Sequence, residues 1–382
     1  MDTINGIFCD AKIFTTNNLS NAIDDYALAQ IQMICDNEVS KGSQIRIMPD
    51  VHPGKVGTIG LTMTVGERII PNLIGIDIGC GMSLMQIKGK NIEGQKLDTV
   101  IRDNVPTGFA SRLKNHKRAY EFPFELLLCC DHIRIEKAML GLGTLGSGNH
   151  FIEVDKDADG NLYVVVHTGS RHLGKEVTEY YINQGQKELK AKGVNVPHEL
   201  TYLEGALMED YLHDLQIVQD YAALNREIIL EELAKGMKWK VLDTYSCHHN
   251  YVDNRKGTIE LIGASVLRKG AISAHKGEKV IIPINMRDGI ILREGLGNTD
   301  WNCSAPHGSG RIMKREEVKS HFTVSNYKAE MKGIYSSCIG KETLDEAPFA
   351  YRNIKDIADA IQDTVLIHKV IKPIYNYKGG GN

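Results

Sequence analysis

Residues 75–82 read Gly-Ile-Asp-Ile-Gly-Cys-Gly-Met, three glycines breaking an apolar run around a carboxylate and a thiol. Glycine lets backbone approach a ligand closely, and loops at strand ends are where functional groups are commonly held. Asp77 and Cys80, three apart in such a turn, can converge on one cation. The same construction recurs on both sides. Met48-Pro-Asp-Val-His-Pro-Gly-Lys55 precedes it, and Gly143-Thr-Leu-Gly-Ser-Gly-Asn-His-Phe-Ile-Glu153, His167-Thr-Gly-Ser-Arg171 and, lacking the glycine, Cys247-His-His-Asn250 follow. No internal repeat explains these five junctions.

The segments that feed the junctions set the fold class. Short β-prone runs occupy Ile45 to Met48, Leu162 to Val166, Lys279 to Ile284 and Ile290 to Leu292. Asn21 to Asn37 carries apolar residues at helical spacing, with Gly42 as its stop. A longer stripe runs from Gly205 to Leu233 through Leu207, Tyr211, Leu215, Val218, Tyr221, Leu224, Ile228 and Ile229, with Gly236 as its stop. The class is α+β. No stretch rich in Pro, Gly or Ser breaks the 382 residues, so residues 1–382 read as one compact unit.

Composition narrows the functional classes. At 42% apolar and 24% charged residues, the chain is an ordinary globular one. Its formal net charge of -3 supplies no global field for a polyanion, so nucleic-acid binding would need a local groove or metal. Eight cysteines without CxxC spacing point to reduced thiols in a cytosol. No leader pattern or long apolar run suggests secretion or a membrane, and the expected location is cytoplasmic.

His150, His167 and His249 lie in or beside the junctions, and with Asp77 and Cys80 they form a mixed set able to hold one or two divalent ions. Oxygen and nitrogen ligands suit manganese; a thiolate also tolerates zinc. Singly, each could be a hydrogen-bonded core residue. Ser304-Ala-Pro-His-Gly-Ser-Gly-Arg311 sets His307 before a turn of the phosphate-cradling kind, with Arg311 as a bidentate phosphate partner. A neutral imidazole there can attack an activated phosphoryl group; the plainer reading is a surface turn. Arg112, Lys114, His116, Lys117 and Arg118 read as a solvated helix face or as an RNA track. Cys129 and Cys130 read as buried thiols, and His248 and His275 have no assigned role.

Taken together, the motifs resemble those of the RtcB family, RNA ligases that join a 3′-phosphate or 2′,3′-cyclic phosphate end to a 5′-hydroxyl end. The resemblance runs from Met48-Pro-Asp-Val-His to Tyr377-Lys-Gly-Gly380, with Gly75 to Met82, Asn149 to Glu153, Cys247-His-His-Asn-Tyr251 and Ser304 to Arg311 in the family's order. It implies the family's own α+β fold with a central metal-binding cleft. Asp77, Cys80, His150, His167 and His249 would be ligands of two Mn²⁺ ions and His307 the guanylylated nucleophile. Asn149, Glu153, Asn250, Tyr351 and Lys378 would contact the guanine nucleotide of GTP, Glu153 at the base edge. It further implies RNA repair or tRNA splicing and, in some members, an archease-type activating partner.

Two departures stand out. Gly54-Lys55-Val56-Gly57 replaces the family's Gly-Lys-Gly. Ile282-Pro-Ile-Asn-Met-Arg-Asp-Gly289 replaces a small Pro-Gly-Ser-Met-Gly loop, removing a hydroxyl and placing Arg287 and Asp288 near the expected guanylate. The competing functions are a manganese-dependent RNA end-processing phosphoesterase, which would not need His307, and a non-catalytic RNA-binding metalloprotein, which would not need Glu153 or Lys378.

Overall fold

The β-prone runs are strands in the computed structural model, which describes residues 2–15 and 23–379. Seven antiparallel strands form the larger sheet, in the order Val241–His248, Gly81–Ile87, Leu162–Thr168, Phe151–Lys156, Val365–Lys378, Gly289–Gly295 and Lys279–Asn285. A six-stranded sheet runs Asp2–Ile4, Ala11–Ile13, Ile45–His52, Ile59–Thr64, Val266–Lys269, Asn250–Asp253.

The larger sheet has two apolar faces, because alternate residues of each strand point opposite ways. One face, with Met85, Ile87, Ile152, Val154, Val164 and Val166, packs against Ile229, Leu230 and Leu233 of the Gly205–Met237 helix. The other face turns in on itself, gathering Met82, Leu84, Phe151, Tyr163, Val165, Ile281, Ile290, Leu292 and Ile371. The sheet is curled so far that its first and last strands touch. Across that seam Cys247 Sγ donates to Lys279 O at 3.4 Å and Lys279 Nζ to Asp243 Oδ2 at 2.8 Å.

The expected helices are present with different ends. Asn21 lies outside the described residues; the helix spans Asp25–Cys35, capped by Asp24 Oδ1 accepting from Tyr26 N at 2.8 Å, and ends well before Gly42. The long helix runs through Gly236, expected as its stop, and ends on Lys238 in the left-handed region (φ 56°). Gly236 instead lets the Gly94–Asn104 helix approach: a Cβ there would lie 2.5 Å from Val100 Cγ1. The 21-residue helix Arg171–Ala191 was not expected from the pattern. The basic run is a loop and a single 3-10 turn rather than a helix face; Lys114 and Lys117 are exposed, and the other three are engaged. Arg112 donates to the carbonyls of Leu142, Asn104 and Gly143, Arg118 pairs with Glu227 and Glu231, and His116 pairs with Glu232. Cys129 is buried and Cys130 part-exposed.

Candidate active site

Register explains why distant residues meet. Gly81 pairs with both His248 and Thr168, Phe151 with both His167 and Lys378, and the hairpin ends Asn285 and Gly289 pair with each other. The residues around Cys80, His150, His167, His249 and Lys378 therefore crown one rim of the curled sheet. There Cys80 Sγ lies 3.5 Å from His150 Nε2 and 3.3 Å from His167 Nε2, His167 Nε2 lies 3.3 Å from His249 Nε2, and Asp77 Oδ2 lies 3.0 Å from His150 Nε2.

The far nitrogens explain the near ones. His150 Nδ1 donates to Leu145 O at 2.9 Å and His167 Nδ1 to Asn149 O at 3.2 Å, which leaves both Nε2 atoms as lone-pair acceptors facing one another and the thiol. Acceptors packed this closely fit a shared cation. Cys80, His150 and His167 offer ligand atoms within 4.8 Å of one another. Burial, then neighbouring imidazoles, holds His167 and His249 well below the usual histidine range, so both are neutral and able to ligate. Burial and the adjacent Asp77 push the Cys80 thiol up, a penalty that a bound cation would reverse. Behind the group, buried Arg226 donates to Gly79 O at 2.8 Å and Thr168 O at 2.9 Å, and its Nη2 lies 3.2 Å from His248 Nδ1. His248 thus braces the turn, while His275 Nε2 lies 2.9 Å from Thr258 Oγ1.

His307 follows strand Ser304–Pro306, its ring centroid 4.9 Å from that of His249. Its Nδ1 is 2.6 Å from Oδ2 of fully buried Asp50, which also accepts from Gly308 N at 3.2 Å. A carboxylate on Nδ1 selects the tautomer whose Nε2 carries the lone pair. Asp50 was visible in the Asp-Val-His motif but carried no role there.

A cavity opens beside His307, walled by Asn149, Phe151, Glu153, Asn285, Tyr351 and Lys378, among others. Lys378 Nζ donates to Glu346 Oε2 at 2.9 Å and Tyr351 OH to the same oxygen at 2.6 Å. Arg315 pairs with Glu346 at 2.5 Å. Burial would raise the Glu346 carboxyl, but Lys378, Arg315 and Arg311 together hold it at about 2. Glu153 accepts from Asn376 Nδ2, and burial pushes it up to about 7.

The model of a family described as tRNA-splicing ligase RtcB matches residues 35–126 and 129–379. The chain belongs to the RtcB family. It is 31% identical over 370 residues to the RNA-splicing ligase RtcB of Escherichia coli strain K12, covering 88% of this chain and 90% of that one. It is 26% identical over 427 residues to the tRNA-splicing ligase RtcB of Pyrobaculum aerophilum, covering 87% of each.

Against the RtcB pattern, the structure brings Asp77, Cys80, His150, His167 and His249 together, and His307, Asn149, Glu153, Tyr351 and Lys378 into one cavity wall. Asn250 is not in that wall. Its Nδ2 donates to Asp77 O at 3.4 Å and its Oδ1 accepts from Gly270 N at 2.9 Å, so it props the turns behind. Arg311 lines the cavity, yet its guanidinium is already spent on Met313 O, Asp345 O and Tyr351 OH. At the departures, Gln30 clamps Gly54 by accepting from its N and donating to its O. Asn285 Oδ1 accepts from Arg287 N and Asp288 N, closing the hairpin tip. Arg287 and Asp288 pair with each other, and Arg287 with Glu330, so those charges are neutralised among themselves and are not part of the cavity wall. Asp50, Glu346, Arg315 and Asn376 were not found from the sequence; only Asp50 lay in a quoted motif.

Proposed function

We propose that this chain is a GTP-dependent RNA ligase of RNA repair or tRNA splicing. It would join a 3′-phosphate or 2′,3′-cyclic phosphate end to a 5′-hydroxyl end through a guanylate carried on His307. The observation that supports this most is a single cavity lined by His307, its Nδ1 committed to Asp50 at 2.6 Å, by His167 and His249 of the thiol-imidazole group, and by Glu153. A phosphoesterase that does not seal would have no use for that imidazole, and a structural metal site none for the cavity.

In this reading Asp77, Cys80, His150, His167 and His249 hold two Mn²⁺ ions, which when bound neutralise charge on phosphoryl oxygens. His307 Nε2 donates its lone pair to the α-phosphorus of GTP, forming the P–N bond as pyrophosphate leaves. An RNA 3′-phosphate oxygen then takes the guanylate and frees the imidazole. The 5′-hydroxyl finally attacks the activated phosphate, making the phosphodiester and releasing GMP, while a cyclic phosphate is first opened by water. Asp50 steadies the charged imidazole of the departing guanylate. Glu153 accepts from the base, and Asn149, Tyr351 and Lys378 line the remaining path, with Asn250 bracing from behind.

The test is incubation of the protein with α-labelled GTP and Mn²⁺, then denaturing electrophoresis, beside His307→Ala and an ATP control. Acid-labile, GTP-specific label absent from His307→Ala is expected. Equal labelling of the variant would sink the covalent mechanism.

A further inference from the structure

Strand Phe151–Lys156 turns Phe151, Glu153 and Asp155 into the curl of the larger sheet, where Val165 stands opposite Glu153 and Tyr163 opposite Asp155. Asp155 is completely buried in that apolar layer (0% exposed), and neither of its oxygens receives a hydrogen bond from a described residue. Tyr163 donates to Asp157 instead, and Lys369 is spent on Asp157 and Tyr163. On the other flank the register partner is Pro373, which has no N–H. Two residues back on the same face of the strand stands Glu153, the charged group that acts on Asp155 and to which its carboxyl hydrogen-bonds.

Two ionised carboxylates within hydrogen-bond reach of each other in an apolar layer are prohibitively costly, so a proton must lie between them. Their other partners decide which oxygen carries it. Glu153 accepts from Asn376 and feels the charge of Lys378; Asp155 has neither. Burial pushes both groups up, Glu153 to about 7 and Asp155 well above its ordinary range.

We propose that Asp155 is a neutral carboxylic acid that donates its proton to Glu153, fixing Glu153 as an ionised, acceptor-only group at the cavity, and so sets base selectivity without touching the nucleotide. This rests on reading the cavity as a guanine-nucleotide site. An ionised carboxylate matches the adjacent N1–H and 2-amino donors of guanine and rejects the acceptor N1 of adenine. A protonated Glu153 would offer a donor and admit the adenine edge. Asp155 is thus a positioning residue.

The test combines calorimetric titration with GMP and AMP and infrared difference spectra, on the unaltered protein, Asp155→Asn and Asp155→Leu. Asn retains a donor; Leu suits the apolar layer but has none. In Asp155→Leu, GMP affinity should fall about 10- to 100-fold and the GMP:AMP preference should collapse, while Asp155→Asn stays within about 3-fold. The carbonyl stretch of a protonated carboxyl should disappear in Asp155→Asn, where Glu153 stays ionised, move to a new frequency in Asp155→Leu as the proton passes to Glu153, and persist in Glu153→Gln. An unchanged GMP:AMP ratio in Asp155→Leu overturns the proposal, as does equal loss in both variants, which assigns packing alone. A stretch that survives Asp155→Asn unchanged and vanishes in Glu153→Gln puts the proton on Glu153 and also overturns it. Absence of any GMP preference in the unaltered protein sinks the guanine reading instead, and the infrared comparison, made without nucleotide, separates the two failures.

Discussion

At His307 a single contact carries two jobs. The 2.6 Å approach of Asp50 orients the ring and selects its tautomer, so Asp50→Asn should leave the fold intact yet slow guanylate labelling by about 10²- to 10⁴-fold. Labelling at an unaltered rate would show that the carboxylate is only structural. Cys80→Ala tests the neighbouring group differently. It removes the atom that lies against both His150 and His167, and metal content measured by emission spectrometry should drop. Unchanged stoichiometry would take Cys80 out of the ligand set. Much of this site was legible residue by residue, because glycine-flanked His, Asp and Cys at strand ends are unusual enough to notice. Asp50 and Glu346 were not, since their meaning lies in partners such as His307 and Lys378 that only the fold brings near.

Helices show where local pattern misleads. Gly236 reads as a stop, and in an isolated helix replacing it with Ala would help by about 1 kcal/mol. Here the new Cβ would sit 2.5 Å from Val100 Cγ1, on a β-branched side chain with little room to move. Gly236→Ala should therefore lower stability by about 1–2 kcal/mol in denaturant melts; a gain would mean that the Gly94–Asn104 helix shifts freely. Strand positions were read more accurately than helix ends, because a strand of the larger sheet is buried on both faces and is therefore apolar along most of its length. Helix ends depend on a neighbour that the pattern does not contain. The same reason hid the Arg171–Ala191 helix, whose first residue, Arg171, adopts the left-handed conformation (φ 54°) beside the metal-type group.

On the scale of the molecule, Glu346 ties the C-terminal strand to the segment around 311–315, gathering Lys378, Arg315 and Arg311 on one buried carboxylate. Glu346 is held at about 2, below the 4.5 of a free glutamate, so its contribution is complete above pH 4.5 and is lost as pH falls through 2. A shift of this size corresponds to about 3 kcal/mol. Glu346→Gln should lower stability at neutral pH and flatten the pH dependence between about 4.5 and 2. Parallel acid limbs for the two proteins would remove Glu346 from this role. No helix among the described residues is long and apolar enough to cross a membrane. The order of the larger sheet carries a further meaning for how the chain is made. Strand Val365–Lys378 lies between Phe151–Lys156 and Gly289–Gly295, both synthesised long before it. Until the ribosome has delivered it, the emerging chain carries two unpaired strand edges facing an empty slot. Any message truncated before that point yields a product that can neither close its sheet nor present Lys378, and such a product is a ready substrate for chaperones and proteases.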